Sequence, residues 1–309
     1  MTALTGGVAS DVWKVDTSLG TFVIKRALPQ LRVAQSWNAP VSRSASEAEW
    51  MITVAEVKPD AVPRILARDS AAGLFAMTYF DPGDFPVWKQ QLRGGRVDIP
   101  FAAEVGEAIA AIHAASAGSI DIARRFANDA TFHALRIEPY FEATARHNPD
   151  LKDPLLRLAH ETLSTKRALV HGDVSPKNIL VGPLGPIFLD AECAWFGEPA
   201  FDLAFCLSHL LLKCLWIASA QFAILASFDA LVNSYLAGIK WESPDDVERR
   251  AAQLIPALLL ARVDGKSPVE YLESESQKNL VRRVSRSLLM SPPQRLREVR
   301  HAWTDEIAA

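Results

Sequence analysis

The stretch Leu169-Val170-His171-Gly172-Asp173-Val174-Ser175-Pro176-Lys177-Asn178-Ile179-Leu180-Val181, closed by Ile187-Phe188-Leu189-Asp190, constrains this chain more than any other. It reads as a polar loop held between short apolar strands. Val170 and residues 179–181 favour strand, and Gly182-Pro183-Leu184-Gly185-Pro186 turns the chain back into residues 187–189. Asp173, Asn178 and Asp190 therefore converge. Asn178 and Asp190 face each other across a hairpin, which suits magnesium, a hard cation satisfied by one or two carboxylates plus phosphate oxygens. Asp173, earlier in the loop, is free to accept a hydroxyl proton. A solvated turn before a strand that happens to end in Asp would explain a lone His-x-Asp. It does not explain Asn178, Asp190 and Asp202 together.

The spacing His171-x-Asp173-x-x-x-x-Asn178, followed by Asp190, resembles the kinase catalytic loop and its metal-binding Asp. At these residues the chain resembles the aminoglycoside phosphotransferase and choline kinase family of small-molecule kinases. Asp190-Ala191-Glu192 stands where protein kinases carry Asp-Phe-Gly, and residues 192–204 are most similar to the methylthioribose-kinase-like branch. The resemblance implies an α+β, two-lobed, protein-kinase-like fold. Residues 1–80 would form a small antiparallel sheet with one helix that binds nucleotide. Residues 81–309 would form a larger, mainly helical lobe for catalysis and substrate. The implied reaction moves the γ-phosphoryl group of ATP, with Mg2+, to a hydroxyl of an aminoglycoside, a choline-like alcohol or a methylthioribose-like sugar. Asp173 would orient and deprotonate that hydroxyl, while Asn178 and Asp190 hold the metal. Lys177 either helps the transferred phosphate or faces solvent. His171 and Asp202 take structural roles, Asp202 by bracing the loop through its backbone.

In the first lobe, Gly6 and Gly7 precede an alternating run, Val12 to Val15. Glycines let backbone amides approach phosphate oxygens, although a plain hairpin turn looks the same. A second strand, Thr21-Phe22-Val23-Ile24-Lys25, ends in a base. The pairing resembles the glycine-rich hairpin and phosphate-holding lysine of kinases. Ala9 and Ser10 stand where the family more often has Ser and Asn, so position 9 offers no hydroxyl and the backbone amides remain; Ser10 is counted with Gly6 and Gly7 among the nucleotide-binding residues. Residues 46–54 read as an amphipathic helix with Trp50, Met51 and Val54 inward. Glu47 shares that face and Glu49 does not, so Glu47 is the expected partner of Lys25; the alternative is a first-turn acid favoured by the helix dipole. Residues 27–45 are too long for a plain connection. They are either a surface insertion or a strap over the substrate opening, with Arg32 or Arg43 reaching in. A second hairpin over residues 64–79 runs into Asp81-Pro82-Gly83. Thr78, Tyr79 and Phe80 there are expected to bind adenine through their backbone.

In the second lobe, Val105, Ile109, Ile112 and His113 recur at helical spacing, which makes His113 a core-edge residue. Residues 135–144 and 153–163 read as helices. Arg136 and Tyr140 lie one turn apart on the first, with a helix surface favoured over a pocket. Glu192 shares a face with Asp190 in an extended segment. It either reaches a metal or substrate hydroxyl, or is a buried acid held by backbone amides. Ser243-Pro244-Asp245-Asp246 starts a helix ending near Gly265, and Ser267-Pro268-Val269-Glu270 reads as a capping box that restarts one. Arg262, Asp264 and Lys266 in that joint are candidates for substrate contact or a solvated corner. His209 reads as a packed helix residue.

Net charge −3 offers no general attraction to nucleic acid or to an anionic membrane. Cys193, Cys206 and Cys214 lack metal-ligand spacing, and with no signal peptide visible a cytoplasmic location is expected. The apolar run 203–232 is interrupted by His209, Lys213, Gln221 and Asp229, as in buried helices. Two rival readings are a nucleotide-binding scaffold without catalysis and a protein kinase. Lys25, Asp173 and Asp190 are all present, against the first. The absence of Asp-Phe-Gly, of Ala-Pro-Glu and of a lysine at Ser175 argues against the second.

Overall fold

The computed structural model describes residues 1–4, 9–18, 20–32 and 37–308. Five strands form the first sheet: β1 (Thr2–Ala3), β2 (Ser10–Thr17), β3 (Gly20–Ala27), β4 (Ile65–Asp69) and β5 (Leu74–Thr78), with α1 (Arg43–Ala55) between β3 and β4. Their order is β1-β2-β3-β5-β4, and every pair is antiparallel. Register puts Lys25 opposite Val12 on one side and Phe75 on the other. The α1 face carrying Glu47, Ala48, Trp50, Met51 and Val54 is buried.

After β5 the chain is mostly helical: α2 (Trp88–Arg93), α3 (Ile99–Ser116), α4 (Ile120–Arg125), α5 (Asp129–Phe132), α6 (Ala143–His147) and α7 (Lys152–Ser164). Four short strands interrupt it: β6 (Ala168–Val170), β7 (Ile179–Gly182), β8 (Gly185–Phe188) and β9 (Trp195–Gly197). The rest is α8 (Pro199–Trp216), α9 (Gln221–Ala237), α10 (Pro244–Asp264), α11 (Glu275–Met290) and α12 (Leu296–Ala308). By length and hydropathy α8 qualifies as a candidate membrane span, but 89% of it is buried inside the protein. Its apolar residues build the core of the helical part.

Two expected helices differ. Residues His133–Glu142 wind as a π-helix around Pro139, which has no N–H to offer an α-helical bond, and α6 follows directly. The capping box at Ser267 starts no helix. Val269, Tyr271 and Leu272 are pulled into the core, Glu270 pairs with Lys89, and the next helix begins only after Ser274, whose hydroxyl accepts from the Gln277 amide.

Candidate active site

β6 pairs with β9, and the chain leaves it as a buried loop, residues 171–175. Gly172 has φ +79°, and a Cβ there would stand 2.8 Å from Cys193 Cβ, so only glycine fits. Asp202, in the first turn of α8, accepts hydrogen bonds from the His171 and Gly172 amides at 2.7 and 2.8 Å. It also meets His113 Nε2 at 3.3 Å. His171 Nδ1 accepts from the Asp173 amide (3.1 Å), which leaves Nε2 as the protonated nitrogen, donating to Leu189 O (3.0 Å). Burial holds this imidazole below its ordinary range. It is a neutral strut between the loop and the β8 end, packed edge-on against Trp50.

Three donors converge on one oxygen of Asp173. Lys177 Nζ (3.0 Å), Asn178 Nδ2 (2.9 Å) and Arg136 Nη2 (3.1 Å) all meet Oδ2. Among the described residues Oδ1 has no hydrogen-bond partner, so it is the oxygen left for a hydroxyl. Burial works against ionisation of Asp173, but Lys177 and then Arg136 outweigh it and keep the carboxyl below its usual range. Arg136 also donates to Gly172 O and Leu135 O. The sequence ranked it as helix surface; the π-helical winding turns it, buried, onto the loop instead.

Asn178 has both Nδ2 contacts on Asp173, which leaves its carboxamide oxygen. The β7–β8 register, Ile179 opposite Phe188, and the Leu189 N–H to Asn178 O bond (2.9 Å) bring Asn178 alongside Asp190. Asp190 is the one non-glycine residue with positive φ (69°) among the described residues. Its Oδ1 accepts from Lys25 Nζ, and Lys25 also donates to Glu47 Oε1 at 2.7 Å. Burial alone would discharge this lysine; Asp190 first and Glu47 second keep it charged. Two carboxylates share one ammonium, and burial pushes the Glu47 carboxyl up to about 7. Glu49 lies outside, on Arg68 and Arg125. Among the described residues no group of three or more His, Cys, Asp or Glu gathers. A cation here would thus have the Asn178 and Asp190 oxygens plus those of its ligand, a donor set that fits Mg2+ bound through phosphates.

Other candidates fall differently. Gly6 and Gly7 lie outside the described residues; Ser10 is buried at the start of β2, opposite Ala27. The Thr78 amide is spent on Arg64 O, and Tyr79 and Phe80 lead into the turn that follows. Glu192 is a buried acid whose Oε2 accepts from Arg43 Nε at 2.8 Å, a side-chain partner in place of the expected backbone amides. Arg43, fully buried, also donates to the carbonyls of Ala9, Leu28, Ala39 and Pro40. With Trp37 Nε1 donating to Ala134 O, it ties the 27–45 segment across to the helical part. Asp264 pairs with Arg282 (2.9 Å) and accepts from Asn148 Nδ2 (3.3 Å). Lys266 is paired with Glu138 (2.7 Å). Arg262 is buried and donates to Tyr140 Oη (3.0 Å) and Ser267 Oγ (2.9 Å).

Residues 1–213 of the 309 match the model of the phosphotransferase enzyme family. The chain belongs to that family. Among curated proteins the chain is similar to the methylthioribose kinases of Yersinia pseudotuberculosis, 27% identical over 230 residues, and of Pectobacterium atrosepticum, 27% identical over 226. Each alignment covers 65% of this chain and 56% of the relative, so the chain spans little more than half their length. Among solved structures it resembles a choline/ethanolamine kinase family protein from Mesorhizobium loti, with TM-score 0.54, 13% identity, and 98% and 92% of the two chains covered. It also resembles the amicoumacin kinase solved with AMP-PNP, Ca2+ and Ami, with TM-score 0.56, 14% identity, and 95% and 89% covered. At such identities the likeness is one of fold: a five-stranded antiparallel sheet followed by a mostly helical part.

Proposed function

We propose that this phosphotransferase moves the γ-phosphoryl group of ATP to a hydroxyl of a small molecule. The observation that carries the reading is Asp173, with Oδ2 pinned by three donors and Oδ1 left open. A hydroxyl donating to Oδ1 would be held by the one carboxylate oxygen that the three donors leave free. Because Lys177 and Arg136 make the carboxylate a weak base, Asp173 acts chiefly by orientation and takes the proton late, as the phosphoryl group arrives. Positioning and charge stabilisation dominate such transfers. Lys25, steadied by Glu47, holds phosphate oxygens once nucleotide draws it from Asp190. Asn178 and Asp190 are the residues that would hold Mg2+, which would supply charge neutralisation for the phosphates. Lys177 Nζ, anchored to Asp173 but half-exposed, stands beside the path of the moving group. Adenine is taken by the backbone after β5.

The test is ADP release with ATP and magnesium against aminoglycosides, choline, methylthioribose, other polyols and hydroxy acids. Turnover with at least one acceptor, abolished in Asp173→Asn while ATP still binds, is the expected result. ATP binding without transfer to any acceptor would favour the silent scaffold. Phosphorylation of protein substrates alone would favour a protein kinase.

A further inference from the structure

On α8, Phe205, His209 and Lys213 are spaced four apart and so form one stripe. Phe205 packs at 5.5 Å from the Arg136 guanidinium that holds Asp173, and Lys213 lies two turns on, about 12 Å along the axis. Lys213 is 1% exposed. Among the described residues its Nζ has no hydrogen bond and no ion pair, only the ring faces of Tyr271 (4.4 Å) and Trp216 (4.9 Å). Among the described residues Arg262 has no carboxylate partner either, its Nε is buried without an acceptor, and the Tyr271 hydroxyl is buried without a partner. His209 is buried with no hydrogen bond among the described residues, in the combined field of Arg262, Lys213, Lys177 and Lys89. The acids nearby are spent: Glu270 on Lys89, Asp173 on Lys177 and Arg136, and Glu138 on Lys266 and Arg146. An ammonium removed from water with no counter-charge is costly to keep. So is a guanidinium nitrogen with nothing to bond.

We infer that the acceptor carries an anionic group, a carboxylate or a phosphate, and that Lys213, Arg262 and His209 form the subsite that takes it, with the Tyr271 hydroxyl as a further donor. The inference rests on the kinase reading and narrows it. The same cations disfavour aminoglycosides and choline-like alcohols, whose ammonium groups would meet like charge. The two turns of α8 between Phe205, which packs on the Arg136 that holds Asp173, and Lys213 suit a molecule of sugar-phosphate or hydroxy-acid size.

The test uses the full chain with its nucleotide site filled by AMP-PNP and magnesium. Melting is followed while glycerate, glycerol 3-phosphate, glycerol and choline are titrated at millimolar concentrations. Ligands that bind only the folded state raise the midpoint saturably. Glycerate or glycerol 3-phosphate should do so, and whichever binds more tightly tells carboxylate from phosphate; glycerol and choline should not. Lys213→Met keeps the volume and removes the unpaired charge, so it should fold. It should weaken the effect about thirtyfold or more, as loss of one partner of a buried charge pair does. Arg283→Met, on the α11 surface, should leave it unchanged. Equal titrations in wild type and Lys213→Met, no response to either acid, or saturable stabilisation by choline would each overturn the inference. The readout needs no turnover, so its failure is distinct from failure of the kinase reading, which would show as no ADP release with any acceptor.

Discussion

Two charged regions of the helical part sit side by side and are built on opposite terms. Around the loop, Asp173 is balanced by Lys177 and Arg136, Asp190 by Lys25, and Glu192 by Arg43. Along α8 and at the end of α10, Lys213 and Arg262 have no carboxylate partner among the described residues. A balanced cluster is rigid before any ligand arrives, because each side chain already has its partner. An unbalanced one is incomplete until an opposite charge enters. The contrast separates a region that positions reacting groups from one that selects what is brought to them.

The largest test of the balanced region is Asp173→Asn. The amide keeps the shape but cannot take a proton, and general-base losses run to about 10²- to 10⁴-fold. We expect kcat to fall by that order with KM for ATP little changed. Turnover within a factor of about three would remove Asp173 from the chemistry.

The unbalanced region is tested next by pH. Burial first, with Lys89 and Arg262 adding to it against Glu270 and the Cys206 thiol, pushes Lys213 down to about 7. In the unfolded chain the lysine holds its proton up to its ordinary 10.5. Above pH 7 the unfolded state therefore binds more protons, and stability rises with pH, by up to about 1.4 kcal/mol per unit. The window runs from pH 7 to near 9, where the buried thiols, all raised above 9.0, begin to oppose it. Glu47, raised to about 7, acts with the opposite sign but below the window. Melting midpoints of wild type should climb relative to Lys213→Met between pH 7 and 9. Parallel curves would show that Lys213 is not a desolvated cation.

A smaller effect probes whether the Lys25–Glu47 contact extends the balanced region into the sheet. Contacting residues couple by about 0.5–3 kcal/mol. In a cycle of Lys25→Ala and Glu47→Ala read by kcat/KM for ATP, the double change should cost less than the sum. Glu49→Ala, which removes only surface contacts to Arg68 and Arg125, should be close to neutral. Additivity for Glu47 would mean the carboxylate does not act through the lysine.

The smallest effect is expected from Asp264→Asn. Its partner is Arg282, half in solvent, and such pairs contribute about 1 kcal/mol or less. Melting should drop slightly and kcat/KM for any acceptor should hold. A large loss of acceptor affinity would return Asp264 to the site and blur the boundary between the two regions.

Much of the loop was legible because its information is local. A turn, two short strands and a hairpin register place Asn178 beside Asp190, and consecutive residues are enough to read them. The α1 periodicity likewise separates Glu47 from Glu49. Arg136 was only partly legible: its spacing with Tyr140 allowed a pocket, but its partners, Gly172 O and Asp173, lie 36 residues on or further. The partner of Glu192 was not legible either, because Arg43 lies 149 residues earlier.

Sequence alone determined the family resemblance, the order of sheet before helices, and the residue types gathered at the loop. Only the tertiary structure decided which oxygen of Asp173 is free and which acids are already neutralised. It alone decided that Lys213 and Arg262 are buried with no acid paired to them among the described residues. Local propensities are written in neighbouring residues, whereas charge balance depends on which distant side chains share a volume from which water has been expelled.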